Sequence, residues 1–328
     1  MKKLLKLSIT LLITSSLFAC TNSKEVKTES TQQANTESLN TNSDTTNEEI
    51  IIKHSKGEAV VKTNPKKIAV FDMGALDTIQ ALGIDAEFAI PTGNIPSYIT
   101  GFENATNAGG IKEPDLEGLF TFAPDVIFIS GRQEDFYDEL NEIAPTIYVG
   151  LDYKNYMESF KTNITNIGKV FGKEDLALEE YNKIENRITE AKEKTSNLDD
   201  KALIIMTNGG KLKYYGAGSR FGFIHDILGF KEADPNKSKE SNLDTHGDEV
   251  SFEYISQVNP DILFVVDRDA AVGGENNSNT TLNNDLVNST NAVKNNKVIN
   301  LNPDVWYISG GGLKSVNMMI DEATNILN

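Results

Sequence analysis

Only four of the chain's 31 basic residues are arginines, at positions 132, 187, 220 and 268. Arg132 and Arg268 each follow an apolar strand pattern, and Arg220 ends the glycine-containing turn Tyr215-Gly216-Ala217-Gly218-Ser219. A planar guanidinium holds an oxygen-rich anion with two parallel N–H bonds, which a lysine ammonium matches poorly. Each of the three has a structural alternative, a pair with a nearby acid such as Asp267. Three together in a lysine-dominated chain favour an anion site. Arg187 falls in a helical pattern where Glu190 and Glu193 are natural solvated partners. Two further candidates are His246, in the polar loop Asp244-Thr245-His246-Gly247-Asp248, and Tyr307, which with Trp306 stands between a strand and Gly310-Gly311-Gly312. Glycines permit close backbone approach there; simple exposure for the histidine and core or rim packing for the aromatics are the competing readings. His225 reads as structural and His54 as exposed.

The elements that position these residues repeat. Pro124-Asp125-Val126-Ile127-Phe128-Ile129-Ser130-Gly131-Arg132 aligns with Pro260-Asp261-Ile262-Leu263-Phe264-Val265-Val266-Asp267-Arg268. Each copy is a helix end, a proline, a buried strand and an arginine at the same offset. Strand carboxyl ends in open α/β sheets carry the ligand crevice, so the two arginines belong at a rim and, if two lobes face each other, in one cleft. Short apolar strands alternate with helices through both halves, which predicts an α/β fold of two similar lobes with mostly parallel sheets. From Lys173 the apolar positions Ala177, Tyr181, Ile184, Ile188 and Ala191 recur at intervals of three and four among charged residues, predicting one long α-helix that bridges the lobes. The expected organisation is a leader at 1–19, a polar tether at 20–50, an N-terminal lobe at 51–170, the bridging helix at 171–197 and a C-terminal lobe at 198–328.

Composition narrows the function. The formal charge of -17 opposes nucleic-acid binding as a main role. One cysteine excludes disulfides and cysteine-rich metal sites within the chain. That cysteine follows a basic start, an apolar run and small Ala19, the pattern of an export signal. Leu17-Phe18-Ala19-Cys20 resembles the lipobox of bacterial lipoproteins, in which the cysteine becomes the lipidated first residue. The alternative is an ordinary secretory leader that happens to contain a cysteine. Thr21 to Glu49 is almost devoid of apolar residues and cannot offset the entropy of folding. No Ser-His-Asp or paired-carboxylate arrangement can be justified from spacing, so an enzyme is not expected.

At Asp72-Met73-Gly74-Ala75-Leu76-Asp77, Ile129-Ser130-Gly131-Arg132-Gln133, Gly218-Ser219-Arg220-Phe221-Gly222, Thr245-His246-Gly247, Val266-Asp267-Arg268 and Trp306-Tyr307, the chain resembles the siderophore-binding proteins of ABC importers, of the helical-backbone class (class III). Within them it is similar to the catecholate binders, enterobactin- and petrobactin-type. The resemblance implies a ferric catecholate ligand, no intrinsic cofactor, permease and ATPase partners, and a monomer anchored by lipid on the outer face of a Gram-positive cell membrane. It places Arg132, Arg220 and Arg268 in the cleft with Tyr215 and Trp306 around them. It also makes His246 and Tyr307 direct ligands of Fe(III) when the siderophore is tetradentate. A haem, cobalamin or other metal-complex binder of the same importer class is the alternative, favoured by an apolar slot with fewer inward arginines.

Overall fold

The computed structural model describes residues 48–240, 246–274 and 277–327. The leader, Cys20 and nearly all of the polar segment lie outside the described residues. The chain opens on an antiparallel hairpin, β1 (Glu49–His54) and β2 (Gly57–Lys62), whose buried Ile52, Ala59 and Val61 face inward. A parallel sheet follows, built from β3 (Lys67–Val70), β4 (Glu87–Ile90), β5 (Thr106–Asn107), β6 (Val126–Ile129) and β7 (Thr146–Tyr148) in the order β5-β4-β3-β6-β7. Three helices connect its strands: α1 (Met73–Ala81), α2 (Leu116–Phe122) and α3 (Tyr137–Ile143).

Helices α4 (Tyr156–Val170) and α5 (Glu174–Ser196) then lead to the second sheet. Its strands are β8 (Lys201–Asn208), β9 (Lys211–Tyr215), β10 (Lys231–Glu232), β11 (Asp248–Val250), β12 (Ile262–Asp267) and β13 (Val298–Leu301). The order is β11-β9-β8-β12-β13, with β10 beside the start of β8. Strands β8, β12 and β13 are parallel, while β9 and β11 are antiparallel additions. The sequence reading did not assign β9, although Asn208-Gly209-Gly210-Lys211 is a hairpin signal and both glycines adopt positive φ, +58° and +78°.

The repeat read from sequence is structural. Helix α2 ends at Ala123 and the helix Phe252–Val258 ends at Asn259, each residue left-handed, with φ of 53° and 48°. Then Pro-Asp leads into β6 or β12, and the aspartate carboxylate accepts the backbone N–H of Lys66 and Lys67 in one copy and of Lys201 in the other.

Each sheet has an outer core of its own. Leu119 and Leu140 cover Ile127 and Ile129 of the first, and Ile255 and Val287 cover Leu203, Ile205 and Leu263 of the second. The facing sides share one continuous core that runs through α1, α4, α5 and the C-terminal helix Leu313–Thr324. The apolar stripe of α5 is buried at Ala177, Tyr181, Ile184, Ile188 and Ala191, the positions read from its spacing. Arg187 departs from expectation: its guanidinium reaches past the solvated glutamates to Asn317 and Asp321, tying α5 to the C-terminal helix. His54 is half-buried against the Tyr137 ring instead of exposed.

Candidate functional site

Three guanidinium groups meet at one tyrosine. Arg132, after β6, donates from Nη2 to the Tyr307 carbonyl (2.6 Å) and from Nη1 to the Ile308 carbonyl (3.2 Å). Arg220, after β9, donates from Nη2 to the same Tyr307 carbonyl (2.5 Å) and lies 4.3 Å from the centre of the Tyr307 ring. Arg268, after β12, donates from Nε to the Tyr307 hydroxyl (3.0 Å) and from Nη1 to Asn208 Oδ1 (3.0 Å). Arg132 and Arg268 stand 5.9 Å and 5.8 Å from the ring, within cation–π range.

The chain builds this locally. Strand β6 is buried along its whole length, so Ser130-Gly131 release Arg132 only at its carboxyl end. Arg220 rides on a loop in which Gly218 has φ +72° and its N–H donates to Asp226 Oδ2 (2.6 Å). Asp267 caps the short helix Arg268–Val272 by accepting from Ala270 N, so it serves its own backbone, not the Arg268 guanidinium. Tyr307 lies in a π-helical turn, Asp304–Ser309, a wide coil found at functional sites.

Like charges this close perturb one another. Burial lowers the Arg132 pKa and neighbouring Arg220 lowers it further, while Asp72 opposes both. Burial raises the pKa of Asp72, against hydrogen bonds from Ser130 and Ala75 and the charge of Arg132. At Tyr307 burial alone would raise the pKa. The fields of Arg220, Arg268 and Arg132, with the Arg268 hydrogen bond, outweigh it and lower the phenol from its ordinary value. The cluster is therefore an electropositive point in an acidic protein, suited to an oxygen-rich anion.

The three other expected site residues differ in depth. Trp306 is 3 % exposed, its indole N–H bound to Glu322 (2.9 Å) and its ring against Phe223. The π-turn sends its ring into the shared core. Tyr215 is 1 % exposed and packs on Phe221, directed inward by strand β9. His246 is exposed at the edge of the second sheet, where its carbonyl accepts from Lys213 Nζ (3.0 Å). Continuing the β9–β11 register places it opposite Gly216, at the head of the Arg220 loop; Asp244 and Thr245 lie outside the described residues. Sequence reasoning missed Asn208 and Asp72 as partners of Arg268 and Arg132, though Asn208 ends β8, beside β12, and Asp72 caps α1 two residues past β3, beside β6. A surface cavity of about 510 Å³ beside α2 shares no lining residue with the cluster. Among the described residues no group of three or more His, Cys, Asp or Glu is placed to hold a metal ion.

Comparison with known proteins places the chain. Petrobactin-binding protein YclQ of Bacillus subtilis is 45 % identical over 285 residues, covering 85 % of this chain and 89 % of that protein. Its crystal structure matches with a TM-score of 0.82 at 42 % identity, over 86 % of this chain and 99 % of that one. Ferric-anguibactin-binding protein FatB of Vibrio anguillarum is 31 % identical over 281 residues, 83 % of this chain and 86 % of that protein. The crystal structure of the periplasmic catecholate-siderophore binding protein VctP from Vibrio cholerae matches with a TM-score of 0.78 at 35 % identity, over 85 % of this chain and 100 % of that one. Residues 68–305 match the family described as periplasmic binding protein; with two lobes joined by long helices and this extent of likeness, the chain belongs to that family, as a binding protein of a transport system and not a catalyst.

Proposed function

We propose that the chain is the solute-binding component of an ABC importer that captures iron–siderophore complexes and, within that class, ferric catecholates. The observation that carries the finer reading is the convergence of Arg132, Arg220 and Arg268, from strand ends and turns of both lobes, on Tyr307. Fe(III) is a hard cation that takes oxygen donors in an octahedral shell, and three catecholates leave the complex with a net triple negative charge. Three guanidinium groups answer that charge locally, where the protein as a whole, at -17, would repel it. VctP is by its title a catecholate-siderophore binding protein, and YclQ is by its name a petrobactin-binding protein.

A hexadentate tris-catecholate fills the iron shell and meets the protein only through its outer oxygens. A tetradentate bis-catecholate leaves two positions, for the His246 imidazole and the Tyr307 phenolate; a phenol already ionising below its ordinary value is prepared for this. Among the described residues no helix is long and apolar enough to cross a membrane, so translocation falls to a permease and an ATPase. Cys20, lipidated after cleavage of the leader, holds the monomer on the outer face of the membrane. Arg132, Arg220 and Arg268 line the interlobe cleft and bind no nucleic acid.

The test is a titration with ferric tris-catecholate, ferric bis-catecholate, ferric hydroxamate and haem, read by quenching of Trp306, the only tryptophan. Both catecholates bind and the neutral hydroxamate binds poorly. Tyr307→Phe or His246→Ala weakens the tetradentate complex much more than the hexadentate one. Preference for haem or hydroxamate would sink the catecholate reading, and equal losses for the two catecholates would make both residues wall contacts.

A further inference from the structure

The turn that carries Tyr307 follows the last strand of the second sheet, yet the first lobe holds it. The fully buried Asp77 carboxylate on α1 accepts the backbone N–H of Lys314 (3.0 Å) and of Ser315 (2.7 Å) at the start of the C-terminal helix. Ser97 donates from N and Oγ to Asp304 Oδ2 (2.9 and 2.8 Å). Tyr98 donates from its hydroxyl to Ser309 Oγ (2.6 Å), and Lys314 Nζ returns to the Tyr98 carbonyl (2.8 Å). Tyr156 of α4 donates to the Gly310 carbonyl (2.7 Å). Two glycines make the approach possible. A Cβ at Gly74 would come within 2.7 Å of the Ser309 carbonyl oxygen, and one at Gly312 would collide with the Asp77 carboxylate.

Arg220 and Arg268 are anchored differently. Their own loops are held within the second lobe, by Gly218 N–H to Asp226 and by Arg268 to Asn208, and they meet this turn at Tyr307. We propose that Asp77 is a positioning residue for the anion site: by clamping residues 304–315 to the first lobe it fixes the Tyr307 and Ile308 carbonyls that orient Arg132 and Arg220. Tyr307 thereby belongs to the first lobe's half of the cleft, although the chain reaches it from the second. Asp77 touches no ligand and acts through the turn. A buried carboxylate that accepts two backbone donors is costly to replace, since an amide offers one acceptor and turns a donor toward the other N–H.

Hydrogen exchange of the whole ligand-free protein tests the clamp, alongside affinity for ferric catecholate. The affinity arm rests on the function proposed above; the exchange arm does not. In Asp77→Asn the amides of residues 304–316 exchange roughly tenfold faster or more, while those of 201–208 and 262–267 keep the wild-type rate, and the catecholate Kd rises about tenfold. Tyr98→Phe, which removes the hydroxyl's bonds to Ser309 Oγ (2.6 Å) and Asp77 Oδ2 (3.5 Å) but leaves the Asp77 bonds to the Lys314 and Ser315 N–H groups, gives the same pattern at smaller size and keeps the test open if Asp77→Asn does not fold. Acceleration spread equally over the second sheet overturns the proposal, as does wild-type exchange at 304–316 in both variants. A loosened turn with unchanged affinity overturns the positioning role. If the wild-type protein binds no ferric catecholate, the ligand reading fails and the exchange pattern alone decides the clamp.

Discussion

Arg132 and Arg268 sit at the same offset of a repeated segment, yet they are held in opposite ways. Arg132 donates to two backbone carbonyls, Tyr307 and Ile308, in a turn that the first lobe grips. Arg268 donates to two side chains, the Tyr307 hydroxyl and the Asn208 amide oxygen, either of which can rotate away. The repeat delivers an arginine to each rim, and what surrounds each rim decides whether the guanidinium is fixed or exchangeable. A fixed one sets the shape of the site. An exchangeable one can leave the tyrosine for an incoming ligand oxygen.

The largest expected difference lies in ligand affinity. Arg132→Ala removes a partly buried charge held by two backbone carbonyls and weakens ferric catecholate toward the upper end of about 2 to 5 kcal/mol. Arg268→Ala falls toward the lower end of about 2 to 5 kcal/mol, because its partners relax without leaving buried carbonyls bare. Isothermal titration of the two variants checks this, and equal losses would break the comparison.

A second contrast concerns Tyr307 itself. Its folded pKa is depressed, so the phenolate contributes stability that is complete above the unfolded value of about 10 and is lost as the pH falls through the folded value. A spectroscopic titration should find it ionising ahead of Tyr98 and Tyr148, which burial pushes upward, Tyr148 to about 12. Arg220→Ala, which removes the strongest lowering charge, moves the Tyr307 step upward; an unmoved step would detach the ring from the arginine field.

The smallest effect sharpens the repeat. Ala123 and Asn259 share one left-handed cap, a conformation that asparagine tolerates better than alanine. Ala123→Asn should raise the stability of the protein by up to about 1 kcal/mol in a denaturant melt, while Asn259→Ala lowers it by more, because the Asn259 side chain also accepts from the Asn291 backbone N–H (2.8 Å).

The legible parts of this molecule are those with a period. The stripe on α5, the strand before Arg132 and its copy before Arg268 each declare a buried face through spacing, and the structure buries those residues. The site's first tier was legible because arginine is rare in this chain. The burial of Trp306 and Tyr215 was not legible, because a π-helical turn and the strand β9, neither of which declares itself through a period, set which way each ring points. Asp77 gave no signal because a carboxylate within a helical pattern reads as its wet face, and only the fold brings two amide groups to it.

The continuous core that threads both sheets has a thermodynamic consequence. Tyr156 of α4 packs on Phe223 of the second lobe, and Ile184 and Ile188 of α5 belong to the same apolar body as Phe128 and Phe264. Neither half has a complete interior of its own, so the halves cannot melt in turn. A single calorimetric transition should carry the whole described chain, and a ligand seated between the rims should raise that one transition as a unit.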